Sequence, residues 1–388
     1  MNKLDIKKEA LKLHEEKRGK VEIKSKVRLE NREDLSLAYT PGVGEVCKKI
    51  SENKDDVYRY TNKGNTVAII SDGTAVLGLG DIGPEAAMPV MEGKAVIFKE
   101  FAGIDAIPIV LDSTDIDEIV TVIKSIAPSF GGINLEDIKA PKCFVIEKRL
   151  KEELNIPVFH DDQHGTAVVV GAALINALKI VNKKIDKIKI VVNGAGSAGV
   201  AIVKFLLNLG AKNITVCDIE GILHSNYPNI NDAQKELVKL TKSENKHGNL
   251  TDALKGADLF IGVSVGNIVT KEMLKNMNKD FICFPLANPV PEIHPELAKE
   301  AGAKVVGSGL SNLPNQINNA LAFPGLFKGI LKHKNVQFDY EMLTAAAEAL
   351  ASVVKDYELT PDYIIPSVFN KEVVNKVSEA VSKVASKK

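Results

Sequence analysis

Cysteine is scarce in this chain: Cys47, Cys143, Cys217 and Cys283 lie far apart, and no CxxC pair occurs. That spacing gives neither a disulfide framework nor a zinc site; buried, reduced thiols are the expectation. Net charge is missing too, since fifty Lys and Arg balance fifty Asp and Glu. The chain as a whole therefore carries no electrostatic footprint for nucleic acid or an anionic membrane. No apolar run reaches the ~18 residues of a membrane span. The opening MNKLDIKKEALKLHEEKRGK lacks the apolar stretch of a signal peptide and is too acidic for a transit peptide, so it reads as a charged amphipathic helix. The expectation is a cytoplasmic protein with no nucleic-acid and no membrane partner. Repeats are absent, and only the tail SKVASKK is of low complexity.

What is present is ordinary globular material: 388 residues, 45% apolar and 26% charged, long enough for two or three domains. The region up to Pro157 holds the strand-like runs TVAII (66–70), AVIF (95–98) and AIPIVL (106–111). Between them lie helical stretches such as DIDEIVTVIKSIA (115–127), with Asp115 as N-cap. From Gln163, TAVVVGAALINALKIV (166–181) reads as a buried helix. Strand, tight turn, helix, a stop at Gly210 and a second strand then follow over 187–218. Further strands are expected in 257–264, 280–286 and 303–309, a parallel doubly wound pattern. From Leu310 the chain turns helical, most clearly over 338–356, which is expected to pack back on the first domain or on a partner subunit. The fold class is therefore α/β: an N-terminal α/β domain (1–157), a Rossmann-type doubly wound domain (163–309) and a helical C-terminal segment (310–388).

Gly194-Ala195-Gly196-Ser197-Ala198-Gly199 fits G-x-G-x-x-G between an apolar strand and a helix, and Asp218 closes the next strand 24 residues after Gly194. Alone the motif is weak; this context is the one it needs. The first glycine allows the tight turn, the second lets backbone approach a pyrophosphate, and the third lets helix pack on strand. The helix N-terminus offers free N–H groups to the phosphates. Asp218 would bond the adenosine ribose hydroxyls and repel a 2′-phosphate, so NAD is favoured over NADP. Thr166, at the head of the preceding helix, joins the candidate cofactor set.

Two acidic pairs carry the rest: Glu136-Asp137 in GGINLEDI and, 25 residues on, Asp161-Asp162 in IPVFHDDQHGTA. Such pairs are usually solvated loop charges. Here apolar flanks and a βα unit place Asp161-Asp162 at a strand's carboxyl end, where ligands bind in α/β folds. Carboxylates crowded into one site repel one another, and a hard divalent cation removes that penalty; oxygen ligands suit Mg²⁺ or Mn²⁺ rather than zinc. His160 and His164 are four apart, but VFHDD is extended, so the two rings would not share a face. Tyr39, beside Pro41 and two glycines, becomes a proton donor if it faces the cation. Lys94, between a glycine and an apolar run, becomes a general base if burial beside a metal shifts it toward neutral.

The segments LAYTPGVGEV, SDGTAVLGLGDIGPEAAMPVMEGKA, GGINLEDIKAPKCF, VFHDDQHGTA, GAGSAG, ANPVPEI and NNALAFPG, in order from residue 37 to about 325, resemble malic enzyme in its short microbial form. The resemblance implies Tyr39 as general acid, Lys94 as general base and Asp161 as the carboxylate paired with that lysine. It implies Glu136, Asp137 and Asp162 as metal ligands, and Asn288, Asn319 and Asn318 as groups meeting substrate, with Asn288 also reaching the nicotinamide. The reaction it implies is malate to pyruvate and CO₂ by way of oxaloacetate, reducing NAD or NADP, with Mg²⁺ or Mn²⁺, in a homodimer. One departure stands out: long-chain relatives carry an arginine where this chain has Ala75, so Lys99, Lys139 or a residue of a second subunit must meet the substrate's far carboxylate. Competing readings are an oxaloacetate decarboxylase without net redox, a noncatalytic nucleotide sensor, and an amino-acid dehydrogenase. The last two have no use for the carboxylate cluster.

Overall fold

The computed structural model describes residues 5–76 and 78–388. The first four residues of the expected N-terminal helix, and Leu77 of the glycine-rich segment, lie outside the described residues. Two sheets organise the chain. The first contains β1 (Thr66–Ser71), β2 (Asp105–Val110), β3 (Gly132–Leu135) and β4 (Val158–His160), all parallel in the order β2-β1-β3-β4. Every residue of β1 and β3 is buried, as continuous Val/Ile-rich runs demand in a parallel sheet covered on both faces. The second sheet contains β5 (Lys189–Asn193), β6 (Asn213–Asp218), β7 (Gly221–Ile222), β8 (Leu259–Gly262), β9 (Ile282–Pro285) and β10 (Val305–Val306), in the order β10-β9-β8-β5-β6-β7. Only β7 runs antiparallel to its neighbour. The chain leaves β5 first toward β6 and later returns to β8 on the other side, so a crevice opens at the carboxyl end of β5.

One expected strand is not one. AVIF (95–98) forms the end of the helix Pro84–Ile97 and the start of a π-turn over Phe98–Ala102. The buried positions Met91, Lys94, Ala95 and Phe98 recur at helical spacing, and the short apolar run hid that longer period. The helix over 115–127 holds: Asp115 accepts from Asp117 N and Glu118 N and starts Ile116–Ile126. The C-terminal helix is shorter than read, Tyr340–Ala351.

The helix Thr166–Val181 is contiguous with the π-turn Asp161–Gly165. Together they are long and apolar enough to cross a membrane by length and composition, at a mean hydropathy of 1.6, but 72% of that window is buried inside the fold. Counting apolar runs missed this, because Asn176 interrupts the run; its side chain donates to Ala351 O and Ile364 O.

The C-terminal segment packs on its own chain. Phe98, Phe159, Phe323, Phe327 and Phe338 form one aromatic block with ring centroids 4.7–5.8 Å apart. It ties the π-turn Phe98–Ala102 and strand β4 to residues 323–338. The helix Tyr340–Ala351 lies against Thr166–Val181 and against Glu372–Ala385. A continuous apolar core runs from β1 through these helices into β5, β6 and β8.

Candidate active site

The sequence brings its carboxylates to one edge by ending two adjacent strands on acids. Glu136 extends the β3 ladder by one residue, its N–H donating to Ile70 O at 2.9 Å, which locks its backbone. Asp137 then turns into the left-handed region at φ 54°. Its N–H donates to Asp162 Oδ2 at 2.9 Å. On β4 the chain passes from His160 into the π-turn Asp161–Gly165, a wide turn that re-aims side chains. Gly165 is required there: a Cβ would stand 1.8 Å from Asp161 Oδ1.

Carboxylate oxygens of Glu136, Asp137 and Asp162 lie within 4.8 Å of one another, the one group of three or more metal-capable side chains found among the described residues. An octahedral Mg²⁺ shell is about 4 Å across, so the all-oxygen set fits a hard divalent cation with a small closing movement. Lys94 is buried between two carboxylates. Its Nζ lies 3.0 Å from Glu136 Oε1 and makes a short contact with Asp161 Oδ2, and it sits 4.4 Å over the Phe323 ring. Asn134 Nδ2 donates to Glu136 Oε2 at 3.0 Å. Burial pushes Glu136 well above the ordinary carboxylate value; Lys94 opposes this, and Asp162, Asp161 and Asp137 add to it. Burial raises Asp161 as well, against the pull of Lys94.

Lys94 itself does not show the shift toward neutral expected from its burial. Desolvation does act to lower it, but Asp161, Glu136 and Asp162 outweigh that effect and hold the ammonium above its ordinary value. The carboxylates alone keep the proton on.

The two histidines part company. His164 Nε2 lies 2.7 Å from Glu147 Oε1, and Lys151 Nζ reaches the same oxygen at 2.7 Å. Burial would raise Glu147, yet His164 and Lys151 hold it well below the usual carboxylate range. His160 is fully buried with its Nδ1 3.7 Å from Asp162 Oδ2, and desolvation keeps the imidazole neutral by lowering its pKa. Glu147 is a position that the sequence reading passed over; only its apolar helical setting could have flagged it.

From the C-terminal segment, Asn319 comes close: a Cβ on Gly165 would lie 3.3 Å from Asn319 Cβ. Asn318 turns back to cap its own turn, accepting from Ala320 N at 2.9 Å. Asn288 precedes a cis proline, and its carbonyl oxygen would lie 2.4 Å from a Cβ on Gly78, so the loops of the two sheets meet here. Lys99 is removed from the candidates for a substrate anion. Its Nζ pairs with Asp105 at 2.7 Å, at the start of β2 and so at the opposite edge of the sheet. Lys139 stays at the carboxyl edge with an exposed side chain.

The glycine motif opens a cavity of about 670 Å³ lined by Gly194, Ala195, Gly196, Asp218, Asn249 and Ser264 among others. Gly194 takes φ 109°, and a Cβ on Gly199 would stand 1.8 Å from Gly194 O. At Gly196 a Cβ would meet nothing within 4 Å of protein, which is open space on the side where a pyrophosphate would approach. Ser197 and Ala198 form the first turn of the helix Ser197–Asn208, and Thr166 heads its own helix beside Gly165. Asp218 stands at the cavity wall with Gln234 Nε2 donating to its Oδ2 at 3.0 Å. These residues fit an NAD-type ligand.

Tyr39 is not brought to the carboxylates. Its side chain is 66% exposed, and among the described residues no hydrogen bond or ring contact joins its hydroxyl to the cluster. The helices Ile6–Lys17, Arg32–Ala38, Val43–Glu52 and Val57–Tyr60 contain no buried residue. They expose Leu11 and Leu37, and the segment between the first two exposes Ile23 and Leu29.

Comparison with known proteins gives a consistent picture. Residues 18–151 match the family described as malic enzyme, N-terminal domain, and residues 163–386 match malic enzyme, NAD binding domain. The chain is 56% identical to a Bacillus subtilis protein named bifunctional malic/malolactic enzyme, over 98% of this chain and 93% of that one. It is 56% identical to an NAD-dependent malic enzyme of Geobacillus stearothermophilus, over 95% and 77% respectively. A crystal structure of an NAD-dependent malic enzyme from Thermotoga maritima superimposes with a TM-score of 0.92 at 52% identity, covering 96% of this chain and 98% of that chain.

Proposed function

The chain belongs to the malic enzyme family, and from that premise we propose that it converts malate and NAD to pyruvate, CO₂ and NADH with a divalent cation. The observation that carries the site assignment is the buried group of Lys94, Asp161 and Glu136, with Asp137 and Asp162 beside it, at the edge where the two sheets' loops meet. Most of the catalytic groups fall in 1–157, joined by Asp161 and Asp162 just beyond it; cofactor binding falls to 163–309, and 310–388 supports both and supplies Asn319.

Glu136, Asp137 and Asp162 would hold Mg²⁺ or Mn²⁺, which when bound acts as a Lewis acid on the substrate's C2 oxygen. Gly194–Gly199 and Asp218 would seat NAD, which when bound would supply the acceptor for the C2 hydride. Lys94 accepts the C2 hydroxyl proton as hydride leaves, and oxaloacetate results. Its Nζ is aimed by Asp161, and because only the carboxylates hold its proton affinity up, any neutralisation of them brings it down toward a working base. Loss of the C4 carboxylate follows oxidation, since the alcohol offers no electron sink. Tyr39 then protonates C3. Asn319 and Asn288 orient the substrate, Asn288 also meeting the nicotinamide, and Asn318 fixes the turn that carries Asn319.

The assay that tests this reading adds malate with NAD or NADP, each with Mn²⁺, Mg²⁺ or chelator, and follows nicotinamide absorbance and pyruvate. Rapid NAD reduction that chelator removes is expected, with NADP slower because Asp218 repels its 2′-phosphate. A 43% identical relative from Escherichia coli is named NADP-dependent, so both nucleotides belong in the test. Measuring lactate in the same reactions covers redox-neutral decarboxylation, which the name of the Bacillus relative makes worth scoring. Oxaloacetate loss without nicotinamide reduction would replace the proposal with the lyase reading.

The protein is proposed to act in the cytoplasm, without nucleic-acid or membrane partners, as a homodimer. Support for the dimer comes from the N-terminal arm: four helices with no buried residue and a row of exposed apolar side chains need a covering surface. A second copy that received this arm would gain the Tyr39 missing from the site. Mixing Tyr39→Phe and Lys94→Ala subunits should then restore about a quarter of wild-type activity through hybrid dimers carrying one intact site. No recovery after subunit exchange would place Tyr39 elsewhere.

A further inference from the structure

Asp137 is the one proposed ligand whose backbone is in the left-handed region, φ 54°, where residues other than glycine are uncommon and are held by their surroundings. What holds it comes from the loop after β1. Ala75 N–H donates to Asp137 O at 2.9 Å. Two residues further on, Lys139 N–H donates to Thr74 Oγ1 at 2.9 Å. That hydroxyl in turn donates to Asp72 Oδ1 at 2.6 Å, and Thr74 N–H reaches the same oxygen at 3.0 Å. Asp72 is 2% exposed and Thr74 7%. Residues 72–75 therefore grip the ligand loop at the Asp137 carbonyl and just beyond it, at Lys139. The far side of the grip is the bond from Asp137 N–H to Asp162 Oδ2.

We propose that Thr74, braced by Asp72, is a positioning residue for the divalent-cation site, setting Asp137 against Asp162 without touching the cation. The proposal rests on the reading that Glu136, Asp137 and Asp162 bind that cation. Thr74 uses its hydroxyl in both directions, as donor to Asp72 and acceptor from Lys139. A side chain of the same shape without the hydroxyl leaves the part-buried Lys139 N–H without its acceptor and Asp72 Oδ1 with the Thr74 N–H alone. The ligand loop can then relax, and the oxygens spread. Supporting groups of this kind cost 10–100-fold in metal affinity when removed.

The test is Mn²⁺ binding to the whole enzyme without substrate, read from the free-Mn²⁺ signal in electron paramagnetic resonance. NAD affinity, measured by fluorescence, reports on the intact fold. Thr74→Val should weaken Mn²⁺ binding about 10–100-fold and leave NAD affinity unchanged. Thr74→Ser, which keeps the hydroxyl, should bind Mn²⁺ within about threefold of wild type. Thr74→Ala repeats the loss should the valine protein be poorly folded. Turnover of Thr74→Val should recover toward wild type as Mn²⁺ is raised. Wild-type Mn²⁺ affinity in both Val and Ala variants overturns the proposal, and so does parallel loss of NAD binding, or a serine variant as weak as valine. A wild-type protein that binds no Mn²⁺ removes the cation site itself, and this inference with it.

Discussion

Asp162→Ala should abolish Mn²⁺-dependent oxidation of malate, lowering kcat by about a thousandfold or more, since a Lewis acid contributes several kcal/mol at about 1.4 kcal/mol per factor of ten. Asp162 has two tasks. Its carboxylate completes the oxygen group with Glu136 and Asp137, and its Oδ2 accepts the Asp137 N–H. Alanine removes a ligand and frees the neighbouring one. The same substitution should not harm the fold in the absence of metal, because it removes one of several like charges that crowd Glu136. Two measurements separate these effects. Mn²⁺ should raise the melting temperature of the wild type by mass action and leave that of the variant unmoved. NAD affinity should be the same in both. A variant that still turns over with Mn²⁺ at wild-type rates would show that the cation is held elsewhere.

Lys94→Ala should lose about 10²–10⁴-fold in malate oxidation, the range for a positioned general base, and should also unfold more easily. Asp161 and Glu136 are both buried, and Lys94 is the cation between them. Breaking a buried pair by deleting one partner costs about 3–5 kcal/mol, because the remaining charge has no water and no partner. The two carboxyls answer by taking up protons, their values already being pushed upward by burial. Lys94 is buried with its proton affinity raised, so its stabilising contribution is present at neutral pH and below and is lost only as pH rises through that raised value. At neutral pH the full loss should therefore appear in chemical denaturation, and Mn²⁺ should restore part of it. A Lys94→Ala protein with unchanged stability would mean the carboxyls are neutral in the wild type.

Local signals were legible in the sequence, and distant ones were not. The glycine motif reads correctly because strand, turn, helix and Asp218 fall within one βα unit, and the structure opens a cavity there. Asp161-Asp162 reads correctly as a strand-end pair; that Glu136-Asp137 meets it follows from the adjacency of β3 and β4, which the sequence does not show. AVIF was misread because four apolar residues fit either period, and the buried stripe Met91, Lys94, Ala95, Phe98 is visible only over a longer window. Tyr39 could be named by resemblance, yet its 66% exposure depends on where the arm finds cover, which no single-chain pattern encodes. The braces escaped for another reason. Glu147 meets His164 across 17 positions, and Thr74 meets Lys139 across 65; an apolar helical setting is the one local mark on Glu147, and nothing near Thr74 marks it.

The aromatic block has a consequence for how the chain is made. Phe98 follows the helix that carries Lys94, and Phe159 lies two residues before Asp161, yet both rings rest on Phe327, with Phe338 behind it. Phe323 is the surface beneath the lysine's ammonium. A ribosome that has released the first 300 residues has therefore delivered every proposed metal ligand and the whole glycine motif, but not the floor under the base. The pocket around the lysine closes only when residues 323–338 fold back beneath β4 and the helix Pro84–Ile97.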